Sequence, residues 1–281
     1  MNKWFTLAEY DHAAYGDAVD IIRRGCVLRV PSVSPPDPTW YPDPVMGFIV
    51  VEAMPFGAEP YGVSGLLVAS GHKAGLMHVI FPKESLPKGY VYGLSTAWLI
   101  ANWKKWVYPR GNVESILIRK PESILQMPAV KSQHWKTSSH QNRPHTMSNW
   151  HTLTTYGSDV IRRGCTLRIP SVPPPEQEWD DSVDVFTWYP DPVIDFIVVD
   201  ADSFEGRSGL LVASGHKAGV VYVIFPKESI PEGDARGLST AWLIANWKKW
   251  VYPWGSAESV LVREPETILR MPAVKSPRRK S

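Results

Sequence analysis

The sequence lacks several features that define common protein classes. It has only two cysteines in 281 residues, Cys26 and Cys165, so a disulfide framework is not expected. It has no apolar run of about eighteen residues, so no transmembrane helix is expected. Its first residues soon turn acidic and lack the apolar core of a signal peptide. With 44% hydrophobic residues, the chain should instead fold around packed cores in the cytosol.

An internal repeat is the clearest feature that the sequence does have. The segment GLSTAWLIANWKKWVYP occupies residues 93–109 and returns unchanged at 237–253. Seventeen identical residues do not recur by chance, so the chain is a tandem duplication. The predicted organisation is a first repeat domain (1–130), a flexible basic linker (131–149), a second repeat domain (150–274) and a basic tail (275–281).

Each repeat has the pattern of an α+β domain. Alternating apolar residues and β-branched runs, bounded by glycine and proline, predict about five strands in a mostly antiparallel sheet. Two of these strands flank a glycine-rich turn and form a hairpin. Loosely spaced apolar residues also favour a short helix at the start of the first repeat. In that repeat, four predicted strands begin at Cys26, Phe48, Ser64 and Glu114, and the returning strand of the hairpin ends in the segment that starts at Val79.

The identical segment predicts one tryptophan-rich amphipathic helix in each repeat. Ser95 or Thr96 is expected to cap its start, and Pro109 to stop it. Helical periodicity places most apolar residues on one face, but Trp98 falls on the polar face. That tryptophan is either further core, covered by a loop or by the other repeat, or a binding anchor. The candidate contact residues are Trp98 and Lys105 in the first copy and Trp242, Asn246 and Lys249 in the second.

Charge is distributed unevenly although the net charge is only +2. Residues 151–274 carry eleven basic and seventeen acidic residues, whereas 129–150 and 275–281 are basic. The proline-rich loop of the second repeat is nine residues longer than that of the first and contains an acidic insert. Such asymmetry indicates how a partner is attracted. The insert's candidate binding residues are Glu176, Glu178, Trp179, Asp180, Asp181 and Asp184.

The glycine-rich turns at 71–75 and 215–219 contain the next candidates. Glycines beside a lysine could cradle phosphate, but the P-loop spacing and the following helix are missing. A hairpin tip that presents charge to solvent or to a protein partner is therefore the favoured interpretation. Its candidate residues are His72 and Lys73 in the first repeat and His216 and Lys217 in the second.

The same residues also allow an enzymatic and a nucleic-acid-binding alternative. Cys26 with His72, and Cys165 with His216, could pair a nucleophile with a base, but no cysteine-enzyme signature surrounds them. Paired basic residues among aromatics could stack single-stranded nucleic acid, but the acidic second repeat would repel phosphates. The histidines near the linker lack accompanying cysteines, so we expect no zinc site and no cofactor.

The first repeat contains RRGCVLRVP at residues 23–31, SGHKAG at 70–75 and FPKE at 81–84, and the second repeat contains RRGCTLRIP, SGHKAG and FPKE before its own copy of the helix segment. Taken in this order, the motifs resemble the immunity protein 45 family of bacterial polymorphic toxin systems. The resemblance covers residues 22–119 and 161–263 and depends most on the LSTAWLIANWKKWVYP helix. It implies a cytosolic, non-enzymatic protein that binds and blocks a cognate toxin, with no membrane involved. Because the second repeat is acidic, a basic nuclease is the candidate toxin.

Three alternative interpretations remain beside that of a toxin-binding protein. Two are functional: a nucleic-acid-binding module and a Cys/His-dependent enzyme. The third concerns assembly, with the repeats packing as an internal pseudo-dimer and the helix tryptophans buried between them.

Overall fold

The structure of the chain is a computed structural model. It describes residues 3–13, 21–32, 43–52, 64–90, 93–109, 111–123, 150–171, 191–202, 207–233, 237–253 and 255–272. All strands and helices named below lie within these ranges.

Each repeat forms a six-stranded sheet in which all neighbours are antiparallel. The first sheet contains β1 (Phe5–Thr6), β2 (Val27–Pro31), β3 (Val45–Glu52), β4 (Ser64–Val68), β5 (Met77–Ile80) and β6 (Leu117–Arg119), in the order β1-β6-β2-β3-β4-β5. The second contains β7 (His151–Thr152), β9 (Thr166–Pro170), β10 (Val193–Asp202), β11 (Arg207–Val212), β12 (Val221–Ile224) and β14 (Leu261–Arg263), in the order β7-β14-β9-β10-β11-β12.

A small two-stranded sheet supports the start of the second repeat's long helix. Its strands are β8 (Val160–Arg162) and β13 (Gly237–Ser239), which pair antiparallel. In the first repeat the same place is held by a single bridge between Ile22 and Leu94.

The helices are α1 (Leu7–Ala13), α2 (Thr96–Trp106) and α3 (Thr240–Trp250). Ser95 caps α2, because its hydroxyl accepts a hydrogen bond from the Trp98 N–H at 3.0 Å. Ser239 caps α3 in the same way. Both helices end three residues before the proline that was expected to stop them. The α+β architecture with one tryptophan-rich helix per repeat is confirmed.

The central strands are buried on both faces, since each sheet is covered on both sides. Along β3, alternate side chains point to opposite faces. Phe48 and Val50 join a core with Leu99 and Trp103 of α2. The second repeat builds the equivalent core beneath α3.

The opposite faces of the two sheets share a third apolar cluster. The first repeat contributes Val27, Ile49, Val51 and Leu67, and the second contributes Ile197, Val199 and Leu211. Since the long helices pack on the other face of each sheet, they lie on the outside of this sheet-on-sheet arrangement.

Four backbone hydrogen bonds between the repeats form two reciprocal pairs. The Glu52 N–H donates to the Gly219 carbonyl at 3.0 Å, and the Asp200 N–H donates to the Gly75 carbonyl at 3.0 Å. A second pair joins Gly71 to Glu266 at 2.9 Å and Gly215 to Glu122 at 2.7 Å. In each pair, the donor belongs to the first repeat in one bond and to the second repeat in the other.

Two glycines make this approach possible. A Cβ atom at Gly25 would lie 2.4 Å from the Ala218 Cβ, and one at Gly164 would lie 2.3 Å from the Ala74 Cβ. Both glycines also have positive φ angles, of 80° and 83°. The RRGC motifs of the sequence therefore bring backbone against backbone at the contact between the repeats.

Three details differ from the sequence predictions. Each sheet gains a two-residue edge strand, β1 or β7, because the segment before the first predicted strand pairs with the last one. The last strand begins at Leu117, since residues 113–115 form a 3-10 turn with Asn112 as its cap. The contacts between repeats run through the sheets, whereas Trp98 and Trp242 pack within their own repeats.

No helix in the described ranges has the length and apolar character needed to cross a bilayer.

Candidate functional site

The outer surfaces of α2 and α3 carry the first set of candidate residues. We define the helix face as Trp98, Asn102, Lys105 and Trp106 in α2, with Trp242, Asn246, Lys249 and Trp250 as their counterparts in α3. Ala97, Ala101 and Lys104, also on α2, are exposed beside it. The helix face thus combines large aromatic groups with positive charge on a rigid element.

Trp98 is half-buried, and its indole packs on two aromatic neighbours. It meets Phe81 edge-to-face with ring centroids 5.6 Å apart and lies 6.2 Å from Trp106. Trp242 has the same neighbours at the same distances, Phe225 and Trp250. One part of each indole therefore belongs to the core and another part reaches solvent, which is compatible with either interpretation of this tryptophan.

The polar residues of the helix face hold its geometry. The Asn102 side-chain amide donates to the Trp98 carbonyl at 2.9 Å, and Asn246 does the same to Trp242. The Lys105 ammonium lies 5.7 Å from the Trp106 ring centroid, so its aromatic partner is Trp106 and not Trp98. Lys249 is placed similarly over Trp250, at 5.8 Å.

The glycine-rich turns combine an exposed side chain with a backbone that contacts the other repeat. The His72 Nδ1 and N–H both contact Asp43 Oδ2, at 2.6 and 3.1 Å. His216 contacts Asp191 in the same way. Even so, about two fifths of each imidazole side chain is exposed, 39% for His72 and 41% for His216. These histidines are thus presented at the edge of the contact between the repeats.

Electrostatics link the turn of the second repeat to the first repeat. Burial lowers the pKa of Lys217, and the positive charge of Arg24 in the first repeat lowers it further. Burial opposes the ionisation of Asp191, but hydrogen bonds from His216 and Ser123 outweigh it and lower the carboxyl's pKa. Ser123 belongs to the first repeat and donates to Asp191 Oδ1 at 2.9 Å.

The two cysteines lie in the cores and contact tyrosine hydroxyls. Cys26 Sγ lies 3.2 Å from the Tyr10 hydroxyl, and Cys165 Sγ lies 3.8 Å from that of Tyr156. Burial raises the pKa of Cys26 to about 11 and that of Cys165 to about 12. Because the thiolate is the reactive form, both environments disfavour nucleophilic chemistry.

His72, the proposed base for Cys26, is instead held by Asp43, and His216 is held by Asp191. The pairing of each cysteine with its histidine receives no support from these contacts.

Sequence reasoning missed a pair of tryptophan–arginine clusters. Arg29 and Arg119 lie over the Trp4 ring, at 5.7 and 5.0 Å from its centroid. In the second repeat Arg168 and Arg263 lie over Trp150, at 4.5 and 4.7 Å. The sequence signal for these clusters was the arginine of the recurring LRVP and LRIP strands. Because side chains alternate along a strand, this arginine points to the sheet face that the two repeats share.

The acidic insert, with Glu176, Glu178, Trp179, Asp180, Asp181 and Asp184, lies outside the described residues. The residues that flank it are described. The Ser171 N–H donates to the Pro192 carbonyl at 2.9 Å, and Asp191 accepts from Ser123 of the first repeat. Asp191, the first described residue after the insert, therefore contacts the first repeat. Within the described ranges, no group of three or more His, Cys, Asp or Glu residues is placed to hold a metal ion.

Comparison with known protein families identifies both repeats. The sequence model described as immunity protein 45 matches residues 13–118 and again residues 153–262. The two matched regions fall on the two repeats and together span most of the chain. No curated protein and no solved structure matches.

Proposed function

Because the chain belongs to the immunity protein 45 family, we propose that it neutralises a cognate bacterial toxin by binding it. The observation that carries this proposal is the family match on both repeats. The protein would act in the cytosol of the producing cell, as a stoichiometric binder and not as an enzyme. The buried, high-pKa thiols support this choice over the cysteine-enzyme alternative.

The second repeat is the main toxin-binding unit in this proposal. Residues 151–274 carry seventeen acidic and eleven basic residues, and the insert concentrates five of the acids within nine positions. A toxin domain that attacks nucleic acid would be basic, and complementary charge speeds the encounter of two proteins. The proposed partner is therefore a basic toxin domain such as a nuclease.

The helix face supplies the proposed anchors once the partners meet. Tryptophan is enriched among the residues that dominate binding energy, since a half-buried indole offers a large rigid surface at small entropic cost. Trp242 combines such an indole with Lys249, which lies about two helical turns further along α3. It also belongs to the acidic repeat, so it is the preferred anchor over Trp98.

The arrangement of the repeats has a role in this proposal. We infer that they form an internal pseudo-dimer through the shared apolar cluster and the reciprocal hydrogen bonds. With this pairing the two helix faces point outward and stay available to a partner. The linker then joins two domains that are already packed against each other.

Co-expression with the toxin encoded beside this gene tests the proposal. The wild-type chain should restore growth, whereas a variant with Trp242→Ala and the five insert acids replaced by Ser or Asn should not. A matched control carries Trp98→Ala and keeps the acidic insert, and it should still protect. Circular dichroism spectra that match across the three proteins would show that folding is intact. Failure of the well-expressed wild-type chain to protect would refute the proposal.

A further inference from the structure

Arg29 and Arg168 occupy equivalent places in the two repeats but have different partners. Arg168 faces Asp195 across β9 and β10, and Arg29 faces Gly47 across β2 and β3. Arg168 forms a two-pronged ion pair, with Nε 2.6 Å from Asp195 Oδ1 and Nη2 2.7 Å from Oδ2. Glycine offers no carboxylate, so the first repeat lacks this pair.

The Arg29 guanidinium reaches into the space that a side chain at position 47 would fill. Its Nη1 lies 2.0 Å from the place where a Cβ atom on Gly47 would stand, and Ser70 Oγ lies 2.8 Å from the same point. Among the described residues, this buried Nη1 has no hydrogen-bond partner. Leaving a buried charged donor unsatisfied is costly, so the site favours an acceptor from outside the chain.

The positive charge near Arg29 also favours the binding of an anion. Arg119 lies over the same Trp4 ring, and its positive charge opposes that of Arg29. Burial and this repulsion lower the pKa of Arg29 to about 10, and Glu266 of the second repeat raises it only in part. Glu266 is itself paired with Arg263 at 2.7 Å, as Glu122 is with Arg119 at 2.6 Å.

We propose that Arg29 and Ser70 form a binding site for one small monovalent anion, such as formate or chloride, with the positive charge of Arg119 nearby. The anion would supply the negative charge that the Asp195 carboxylate supplies in the second repeat. The backbone around the site is already the same in both repeats, since the Gly47 N–H donates to Ser70 Oγ and the Asp195 N–H donates to Ser214 Oγ. Only the carboxylate differs.

Thermal unfolding of the full chain at constant ionic strength tests this site, with sodium gluconate replaced stepwise by sodium formate or sodium chloride. Gluconate is the control because its six-carbon chain is much bulkier than formate or chloride. A ligand that binds only the folded state raises Tm with its concentration, so formate or chloride should give a saturable rise of about 3 °C. The response to formate against chloride identifies which anion fits.

Two exchanged variants sharpen the test. Gly47→Asp brings its own carboxylate, so the rise should disappear. Asp195→Gly removes the built-in partner of Arg168, so it should lower Tm in gluconate and roughly double the anion response.

Line broadening of the chloride NMR signal gives a direct reading that does not depend on stability. The wild-type chain should broaden it more than Gly47→Asp. Equal anion responses in the wild type and Gly47→Asp, with equal chloride broadening, would overturn the site.

Discussion

The two repeats are alike on their outer surfaces and differ where they meet and at their cysteines. Their long helices are identical over seventeen residues, and the aromatic distances around Trp98 and Trp242 agree. On the shared face, however, Gly47 stands opposite an arginine where the second repeat has Asp195. Identical helices therefore sit on sheets with different electrostatics, and a difference in binding between the repeats must come from outside the helix.

The cysteine pockets show the same divergence beneath a common core. Tyr10 reaches Cys26 from α1, whereas Tyr156 reaches Cys165 from the residue after a 3-10 turn. Glu264 contacts both the Tyr156 hydroxyl and Cys165, and the first repeat has Lys120 at that place in the sequence. The N-terminal segments of the two repeats thus differ, yet each places a tyrosine hydroxyl beside the core cysteine.

The largest expected effect concerns the contact between the repeats. Gly25→Ala places a methyl group against Ala218 and forces alanine to a positive φ, so we expect a loss of about 2–4 kcal/mol in unfolding free energy. Gly89 has a similar φ of 82°, but a Cβ there would meet nothing within 4 Å. Gly89→Ala should therefore cost only about 1 kcal/mol. Urea unfolding measures both, and equal losses would show that the contact adds nothing.

The next effect separates the two identical helices. Trp242→Ala should weaken toxin binding by about 2 kcal/mol, whereas Trp98→Ala should cost well under half of that. Calorimetric titration with the toxin gives both values, and urea unfolding of each variant measures what the core loses. Equal binding losses from the two substitutions would contradict the assignment of the second repeat as the main unit.

A smaller effect distinguishes the cysteine pockets. Burial raises the pKa of both thiols, and the negative charge of Glu264 raises that of Cys165 further, so the thiolate of Cys26 should be the more populated of the two. Because both cysteines are fully buried, the Cβ chemical shifts of cysteine-labelled protein at rising pH measure the two thiolate fractions. Glu264→Gln removes a negative charge beside Cys165 and should narrow the difference. Ionisation of Cys165 at a lower pH than Cys26 in the wild type would contradict this account of the two cysteine environments.

The raised thiol pKa values also predict how stability changes with pH. An unfolded cysteine ionises near its ordinary value of 9.0, whereas the folded thiols hold their protons to about 11 and 12. This contribution to stability is complete below pH 9 and decreases as the pH rises above it. Cys165→Ser should reduce that decrease. A slope that stays the same after the substitution would contradict the shift.

The smallest expected effect is on the rate of association. Replacing the five insert acids by Ser or Asn should slow toxin capture several-fold at low salt and flatten its dependence on ionic strength. Replacing acids of the first repeat, for example Glu84 and Glu114, is the matched control and should change the rate less. Stopped-flow mixing measures these rates, and an unchanged salt slope in the insert variant would remove the steering role.

Much of the fold could be predicted because local patterns and tertiary packing agree. The apolar runs of β3 and β4 indicated central strands, and Ser95 was among the predicted helix caps. The edge strands β1 and β7 are only two residues long, so they carry no periodic signal of their own. They form because the last strand of each sheet offers a free edge.

The candidate sites were less predictable, because they depend on contacts between residues far apart in the sequence. Periodicity placed Trp98 on the polar face but could not show that Phe81 lies beneath it. Similarly, no local pattern indicated that Arg29 and Arg119 meet at Trp4. The toxin-binding roles of the helix face, the hairpin tips and the acidic insert remain predictions.

Titration of toxin activity with the purified chain tests the central claim most directly. The claim is that this protein neutralises the toxin by occupying its surface and leaves it chemically unchanged. Activity should fall linearly to a stoichiometric end point that does not move with incubation time, and the toxin recovered after denaturation should have an unaltered mass. Inactivation at substoichiometric amounts that grows with time, or a change in the toxin's mass, would contradict the claim.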